Sequence, residues 1–503
     1  MFWKSQTSRN NPSPASPFFL FCLAWLRIIE SAAMTVLDQI ADAIGADRIL
    51  TGTDAAPYGK DWTGAYTSTP LAVLRPTTTA EVSAILRIAN ATKTPVVPAS
   101  GRTGLTGATL AQDALMLSVE RLNEIYDINV DGRTATVGAG VILSTLHEAA
   151  EAHDLIFPLT LGARGSAMIG GLLSTNAGGS NVVRYGSTRG LCLGLEVVMA
   201  DGRIMDLMSA LHKDNSGLDL RNLVIGAEGT LGIITAAVLK LRPKPQAYAT
   251  AMVAVASLSD ALTLLYKLQD ETGNGVEAFE YMPRSYIDKH RQLFPNVAGP
   301  FEKDYDVNIM IEVAATQAKD AIPTPDGSLP VASALEETLG AMLEEGTVLD
   351  AIIAQNEAQR RDIWKRREDA GEVAFFGGVF VNTDVAVPLD KVADFEKMLT
   401  PRIKAIDPDA EEVIVAHLGD GNIHHTSYIS RNDPEVMKAL VEAVEDVVQE
   451  LGGSFSAEHG IGVSKLDTMK RRKDPVALDA MRAIKAALDP NNILNPGKVI
   501  PSA

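Results

Sequence analysis

The chain has 503 residues, which is too long for a single hydrophobic core, so two or three domains are expected. A composition of 46% hydrophobic and 21% charged residues excludes a disordered chain. With 45 basic and 63 acidic residues the net charge is −18, which argues against nucleic-acid binding. Two cysteines, Cys22 and Cys192, are too few for a disulfide framework or a thiolate cage, so any metal must be held by histidine and carboxylate.

Residues 1–33 differ from the rest of the chain. An apolar run over 18–26 follows two basic residues and precedes small ones, which is the order of a secretory signal. The run is too short to span a bilayer. The alternative is a start codon placed too far upstream, with Met34 as the true beginning of an amphipathic helix. We expect a cytoplasmic protein, and the secretory signal stays open as the alternative.

From residue 70 onward, short apolar runs alternate with helical patterns. A helix between two strands at the beginning indicates an α/β or α+β domain. The prolines of segment 242–245 are expected to end that domain, and a second domain follows with an amphipathic helix over 437–451. The other predicted strands cover 72–76, 95–98 and 233–241, and a hairpin over 195–200 and 203–207 turns at an Asp-Gly pair. A helix over 79–91, capped by the threonines at 77–79, has one apolar face, made of Val82, Ile85, Leu86 and Ala89.

The segment 98–107 follows a predicted strand and carries glycine, serine and threonine at close spacing. Such a loop can aim several backbone N–H groups at one point and so form a nest for a pyrophosphate. No Gly-Lys-Ser/Thr follows, so it is not a P-loop, and it lacks the dinucleotide pattern Gly-x-Gly-x-x-Gly. A plain tight turn is the alternative that this segment alone leaves open.

A second glycine-rich region makes the pattern specific. Nine glycines lie between Gly162 and Gly194, and Gly-Ala-Glu-Gly-Thr-Leu-Gly follows at 226–232. Together with Ile-Leu-Asn-Pro-Gly-Lys at 493–498, these segments resemble the vanillyl-alcohol oxidase superfamily, whose FAD-binding domain is of the PCMH type. Within it the chain resembles the D-lactate and D-2-hydroxyglutarate dehydrogenase branch, over about residues 61–499.

The resemblance implies an α+β fold with a two-subdomain PCMH-type FAD-binding domain over 34–245. An α+β substrate (cap) domain would follow over 246–455, and a C-terminal helical segment over 456–503 would return to the FAD domain. Some relatives tether the flavin to a histidine in the first glycine loop, which has none here, so we expect non-covalent FAD. By the resemblance, the expected FAD contacts are Ser100, Gly101, Arg102, Thr103, Gly104, Leu105, Thr106, Gly162, Gly165, Ser166, Gly170, Gly171, Asn176, Ile233 and Asn495.

Four of the eight histidines fall within 43 residues, between 417 and 459. Strands over 412–417 and 423–429, joined by a turn at 419–422, would place His417 directly opposite His424 and would point His425 to the other face. Opposed residues share a face with Cβ atoms about 4.5–5.5 Å apart, a separation that suits two imidazoles on one metal. The alternatives are that the two histidines only pack in the core, and that the Asp-Gly of the turn serves only the shape of the turn.

Glu458 and His459 follow a predicted short strand over 452–457. A His/His/Glu set leaves coordination positions open, as catalytic metal sites do. The resemblance implies that His417, His424 and Glu458 bind Zn²⁺ or another divalent metal and that His459 is the catalytic base. We expect oxidation of a small-molecule 2-hydroxy acid, with a hydride passing from C2 to the flavin.

The sequence has no nicotinamide-binding motif, so electrons are expected to leave to a quinone, a cytochrome or an electron-transfer flavoprotein. A homodimer is compatible with the sequence. A flavin-binding electron-transfer subunit, as in multi-component glycolate oxidases, and an oxidase that reduces O₂ are the competing classes.

Arg366 and Arg367 lie side by side on a predicted helix. The sequence supports two interpretations equally: the pair binds a carboxylate, or it belongs to a solvated charged face. In the D-2-hydroxyglutarate enzymes an Arg, a Thr and a Lys hold the distal carboxylate. Arg367 matches and is expected to act in catalysis, but Gly371 and Asn382 replace the other two, and Thr426 replaces an Asn. The pattern favours a shorter acid such as D-lactate, with D-2-hydroxyglutarate as the alternative.

Overall fold

A computed structural model describes residues 34–315, 317–325 and 327–502, so the predicted leader over 1–33 lies outside the described residues. Within them the helices and strands form two units with separate hydrophobic cores, followed by a C-terminal segment. Each described helix is too short or too polar to cross a membrane. The predicted mixture of helices and sheets is confirmed.

The first unit contains eleven of the described strands and seven of the described helices. Its strands are β1 (Ile49–Leu50), β2 (Ala72–Leu74), β3 (Val96–Ala99), β4 (Leu115–Ser118), β5 (Ile125–Asn129), β6 (Thr134–Gly138), β7 (Leu155–Ile156), β8 (Cys192–Val198), β9 (Ile204–Leu207), β10 (Ile233–Lys240) and β11 (Arg242–Pro243). Its helices are α1 (Val36–Ile44), α2 (Thr79–Thr92), α3 (Leu143–Glu151), α4 (Ile169–Thr175), α5 (Val182–Tyr185), α6 (Thr188–Leu191) and α7 (Leu220–Val224).

These strands form a sheet of order β1-β2-β4-β3, a sheet of order β5-β6-β10-β8-β9 and the pair β11-β7. The predicted elements of this unit are found. Helix α2 begins at Thr78, whose hydroxyl accepts the N–H of Glu81 as an N-cap. Its predicted apolar face is buried, namely Val82, Ile85, Leu86 and Ala89. The hairpin β8–β9 turns at the predicted Asp-Gly, with Gly202 at φ 82°.

The second unit is one antiparallel sheet covered on both faces. Its strands are β12 (Tyr248–Val255), β13 (Val276–Pro283), β14 (Val307–Ala314), β15 (Val348–Ile353), β16 (Val379–Ala386), β17 (Glu411–His417) and β18 (Asn422–Ile429). Its helices are α8 (Leu258–Glu271), α9 (Arg284–Leu293), α10 (Pro330–Glu344), α11 (Glu357–Glu368), α12 (Ala370–Ala374), α13 (Val392–Ile406) and α14 (Pro434–Glu450). The described strands run in the order β15-β12-β14-β13-β17-β18-β16.

The two faces of this sheet have different partners. Helices α8, α10, α13 and α14 pack on one face and share its large apolar core. Helices α9, α11 and α12 cover part of the opposite face with a smaller cluster. Helix α5 of the first unit contacts the middle strand, β13, where Arg184 and Tyr185 both bond Glu277. The seam between the two units therefore lies along the middle strands.

The hairpin that carries the histidines has a different register from the predicted one. His417 pairs with Asn422, and His424 pairs with Val415, so the loop is 418–421. Leu418 is fully buried, and Gly421 takes φ 80° with Val387 O only 2.2 Å from where a Cβ would sit. The prediction of directly opposed histidines is therefore wrong, but the slip is even, so both side chains still share a face as diagonal neighbours.

After the second unit, the chain forms α15 (Leu466–Arg472) and α16 (Pro475–Leu488) and then runs back to the first sheet. The N–H of Val96 donates to Ile493 O, and Val96 O accepts the N–H of Asn495. Ile493 and Leu494 are buried in the first core. The segment from 456 onward therefore spans both units, which places it across the candidate site.

Candidate active site

Two pairs of a carboxylate and a histidine lie on the second face of the seven-stranded sheet. Glu280 on β13 is directly opposite His417 on β17, and Asp384 on β16 is directly opposite His424 on β18. Because side chains alternate along a strand, His425 points to the other face, where its ring contacts Phe395. The predicted assignment of His425 to the far face is confirmed.

Glu280 is completely buried and has two cationic neighbours. Arg367 Nε donates to its carboxylate at 2.6 Å, and His417 Nδ1 donates to it at 2.9 Å. Burial alone would raise the pKa of Glu280, but His417 and Arg367 outweigh it and lower that pKa. Burial would likewise lower the pKa of His417, and Glu280 reverses this and raises it. Glu280 thus holds the His417 ring with its Nδ1 proton turned away from the site.

Arg367 is buried against the same ring. Its Nη2 lies 3.4 Å from His417 Nδ1 and 3.3 Å from His417 Nε2. Nearly equal distances to both ring nitrogens place the guanidinium against the ring, off the lone-pair axis of Nε2. The structure therefore brings the predicted residue Arg367 into the site, where Glu280 bonds both Arg367 and His417.

His424, Glu458 and His459 converge next to this pair. His424 Nε2 lies 3.5 Å from a Glu458 oxygen, and the His424 and His459 rings stack with centroids 5.6 Å apart. Burial lowers the pKa of His424 well below its usual value, although Asp384 opposes this shift. A ring that stays neutral is the form that binds metals.

The donor set fits a divalent cation. One ligand atom from each of Asp384, His424, Glu458 and His459 lies within 4.8 Å of the others. His417 is next to this group, its ring centroid 5.4 Å from that of His424, and its bond to Glu280 is the carboxylate–histidine pairing usual for metal ligands. The set His417, His424 and Glu458 remains a prediction, with Asp384 and His459 as its immediate neighbours.

The predicted strand before Glu458 is wrong. Among the described residues of this segment, Ser454 makes a single bridge to Ala386, and the chain then bends. The reason is that the next amides bond a side chain instead of a neighbouring strand. Asp384 Oδ2 accepts the N–H groups of Ala457, Glu458 and His459 at 3.0–3.1 Å. Both functional side chains then lie next to His424.

The two glycine-rich loops of the first unit touch each other. Ser100 Oγ accepts the N–H of Gly171 at 3.2 Å, and a Cβ on Gly101 would lie 2.2 Å from Ser166 O. Thr106 Oγ1 lies 3.4 Å from His459 O. The predicted FAD loops are therefore together, and the loop that carries the candidate base runs against them.

Three predicted FAD contacts border open space. A Cβ added to Gly104, Gly162 or Gly165 would meet no atom within 4 Å. Asn495 donates from Nδ2 to Ala108 O and Glu228 O, while its buried Oδ1 has no partner among the described residues. The open glycine positions leave room for a ligand, and the unpaired buried acceptor suits one that offers hydrogen-bond donors, as the ribityl and ribose hydroxyls of FAD do.

The remaining predicted FAD contacts are engaged within the protein. Arg102 donates to Pro57 O and lies over the Tyr58 ring. A Cβ on Gly170 would lie 2.8 Å from Ala139 Cβ, so this glycine permits close packing. Asn176 Oδ1 accepts from Ser187 and from the N–H of Arg189, and Ile233 is buried in the first core. Thr103 and Leu105 lie partly buried within the first loop.

The candidate residues for the substrate tail lie on the same sheet face. Asn382 Nδ2 donates to Thr426 Oγ1 at 2.8 Å, two residues from Asp384 and His424 on their respective strands. Gly371 lies in α12, and a Cβ there would meet no atom within 4 Å. By the resemblance, the D-2-hydroxyglutarate enzymes have a lysine at the position of Asn382. Here a neutral pair, Asn382 and Thr426, occupies that position.

Sequence reasoning missed Glu280 and Asp384. Each is an acid within an apolar strand, at Ala-Phe-Glu-Tyr-Met in β13 and at Asn-Thr-Asp-Val-Ala in β16. A buried charge requires a partner, so an acid in a strand that reads as buried on both faces was the available signal. The partners lie far away in the chain, and no local pattern identifies them.

The open surface at Gly104, Gly162 and Gly165 is here called the FAD cradle, and the first of its two loops contacts the histidine and carboxylate cluster through Thr106. This arrangement is typical of an FAD-linked oxidoreductase, and the family matches agree. Residues 70–208 match the family described as FAD binding domain, and residues 244–499 match the C-terminal domain of FAD linked oxidases. The second match covers half of the chain.

Relatives that match most of the chain identify the family more closely. The chain is 34% identical over 478 residues to a D-2-hydroxyglutarate dehydrogenase of Stutzerimonas stutzeri, covering 92% of this chain and 98% of that one. It is 36% identical over 474 residues to the enzyme of that name from Xanthomonas citri pv. viticola, covering 92% and 96%. The mitochondrial protein of Bos taurus is 35% identical over 462 residues, covering 90% and 81%. The chain belongs to the family of FAD-linked oxidases that includes these dehydrogenases.

Solved structures confirm the PCMH-type fold. A p-cresol methylhydroxylase superposes with a TM-score of 0.71 at 16% identity, covering 93% of this chain and 96% of that one. An alkyldihydroxyacetonephosphate synthase superposes with a TM-score of 0.65 at 16% identity, covering 97% and 86%.

Replacing Gly165 with valine tests the FAD cradle. The new side chain enters open space, so the FAD-free protein should keep its melting temperature, whereas FAD affinity, measured by flavin fluorescence, should fall at least 10-fold. Gly340→Val is the matched control, because Gly340 also has no atom within 4 Å of an added Cβ and lies on α10. Equal FAD affinity in wild type and Gly165→Val would contradict the placement of the cradle.

Proposed function

We propose that the protein is an FAD-dependent dehydrogenase that oxidises a D-2-hydroxy acid to the 2-oxo acid. The observation that carries the proposal is the convergence of His424, Glu458 and His459 at the loop that contacts both glycine-rich segments. A Cβ on Gly178 would lie 3.2 Å from a Glu458 oxygen, and Thr106 bonds the His459 carbonyl. The names of the full-length relatives support the same reaction class.

FAD, the divalent cation and His459 would each supply one part of the oxidation. Bound FAD supplies the hydride acceptor for the C2 hydrogen. A divalent cation held by His417, His424 and Glu458 would favour the alkoxide form of the substrate hydroxyl. His459 would accept the hydroxyl proton, a role supported by the stacking of its ring on His424 within the cluster.

Carboxylates outnumber the cations around the cluster, which favours a bound metal cation. Arg367 holds a positive charge beside His417, and Lys465 lies 3.8 Å from Asp384 at the other end of the cluster. Both cations are largely buried, so solvent screens their field weakly. Each of them faces a buried carboxylate, Glu280 or Asp384, so the positive charge that attracts a substrate carboxylate would be that of the bound metal.

Two substrates within this class have separate support. The relatives support D-2-hydroxyglutarate. The tail residues favour a shorter acid such as D-lactate, because Gly371 offers no hydroxyl and the Asn382 amide is bonded to Thr426. Electrons would leave to a quinone, a cytochrome or an electron-transfer flavoprotein, and assays with and without O₂ separate these acceptors from an oxidase.

His459→Ala tests the proposed base. The variant should keep FAD and its melting temperature but lose about 10²- to 10⁴-fold in kcat, the usual contribution of a general base, in steady-state dye reduction. His153→Ala is the matched control, since His153 is exposed in the first unit. A kcat for His459→Ala within a factor of three of wild type would remove His459 from the reaction.

The double variant Gly371→Thr with Asn382→Lys tests the tail position. A charge-assisted contact of about 1.5–3 kcal/mol should raise the ratio of kcat/KM for D-2-hydroxyglutarate over D-lactate by about 10- to 100-fold. The open space at Gly371 admits the new side chain. Gly371→Thr with Asn382→Met adds the same bulk without charge and should leave the ratio near wild type, and a charged variant with an unchanged ratio would discredit the tail assignment.

A further inference from the structure

The loop over residues 457–462, here called the clamped loop, is held by two buried carboxylates from different units. From the sheet, Asp384 Oδ2 alone accepts three consecutive N–H groups, those of Ala457, Glu458 and His459. Its other oxygen accepts Asn422 Nδ2 at 2.8 Å. Asp384 is only 1% exposed, so these bonds replace water almost completely.

From the first unit, Glu228 binds the other end of the clamped loop. Its Oε1 accepts the N–H of Ile461 at 2.6 Å, and its Oε2 accepts the N–H of Gly462 at 2.9 Å. A Cβ on Gly460 would lie 2.6 Å from the same carboxylate, so a larger residue would push Glu228 away. Five of the six amides in the clamped loop therefore end on one of two side chains.

Glu228 is itself fixed within the glycine-rich unit. Its N–H donates to Ser174 O at the end of α4, and its carbonyl accepts Asn495 Nδ2. It takes φ 48°, a left-handed conformation that is uncommon outside glycine. Glu228, which holds one end of the clamped loop, is thus fixed by the same segments as the FAD cradle.

A carboxylate suits this task better than a neighbouring strand would. Successive N–H groups that converge on one point create a local positive field, which an anion stabilises. Lys465 adds a countercharge for Asp384, with Nζ also donating to Ser456 Oγ at 3.0 Å. Both buried carboxylates are thereby satisfied, and the backbone direction on either side of Glu458 and His459 is set.

We propose that Asp384 and Glu228 are positioning residues that fix Glu458 and His459 between the sheet histidines and the FAD cradle. This inference rests on the proposed function. Asp384 sets the loop relative to His424, which it faces across β16 and β18, and Glu228 sets it relative to the glycine loops. A displacement of about 1 Å in such groups costs about 10²-fold in rate.

Hydrogen exchange of the FAD-loaded protein tests the clamp directly. Wild type should protect the amides at 457–459 and 461–462. Asp384→Ala should lose protection at 457–459, and Glu228→Ala should lose it at 461–462. The conservative variants should differ: Asp384→Asn keeps one oxygen for all three N–H groups, whereas Glu228→Gln turns an NH₂ group toward one of its two donors. Unchanged protection in both alanine variants would overturn the clamp.

Kinetics test whether the clamp positions the reaction. With D-lactate or D-2-hydroxyglutarate, whichever wild type oxidises, Asp384→Ala should lose at least 100-fold in kcat while retaining flavin absorbance. Asp384→Asn should recover at least 10-fold of that loss. Asp384→Ala with the kcat of wild type would overturn the positioning role while the proposed function stands. If wild type oxidises no 2-hydroxy acid, the proposed function fails, and hydrogen exchange alone decides the clamp.

Discussion

The candidate site depends on strand pairing that places a buried carboxylate directly opposite a histidine, twice on one sheet face. Glu280 faces His417, and Asp384 faces His424. Each carboxylate would be costly to bury alone, and each is satisfied by hydrogen bonds and cations. Since removing a partner would leave the buried charge of Glu280 less compensated, the His417 ring is held by its bond to that carboxylate.

The same pairing of buried acid and cation joins the rest of the second unit. Helix α11 presents Arg360 to Glu312 and Arg367 to Glu280, two residues seven positions apart and so on one helix face. Arg184 and Tyr185 of α5 bond Glu277 across the seam between the units. Buried ion pairs contribute modestly to stability but specify geometry, and here they specify how both units meet at the site.

The sequence predicted features that neighbouring residues determine, and it did not predict contacts between residues far apart in the chain. Periodicity and capping located α2, and turn chemistry located the β8–β9 hairpin. The face of the histidines was correct although the register was not, because an even slip preserves side-chain alternation. The register itself depended on the burial of Leu418 and the left-handed Gly421, which a pattern of alternating residues does not reveal.

The predicted strand over 452–457 failed for a similar reason. The amides that would extend a ladder bond Asp384, which is 73–75 residues away in the chain. Spacing likewise indicated where the glycine loops lie, but their contact through Ser100 and Gly171 required the fold. The residues predicted to touch ligands left a signal in the sequence, whereas Glu280 and Asp384, which bond those residues or their backbone, did not.

The central claim is that His417, His424 and Glu458 converge on one divalent cation at the FAD cradle. Anomalous diffraction at the zinc edge, from crystals grown with FAD and Zn²⁺, tests this most directly. The account predicts one strong peak per chain in bonding contact with both imidazoles and the carboxylate. Full occupancy of FAD with no peak among these three groups, or a peak bound only elsewhere, would contradict it.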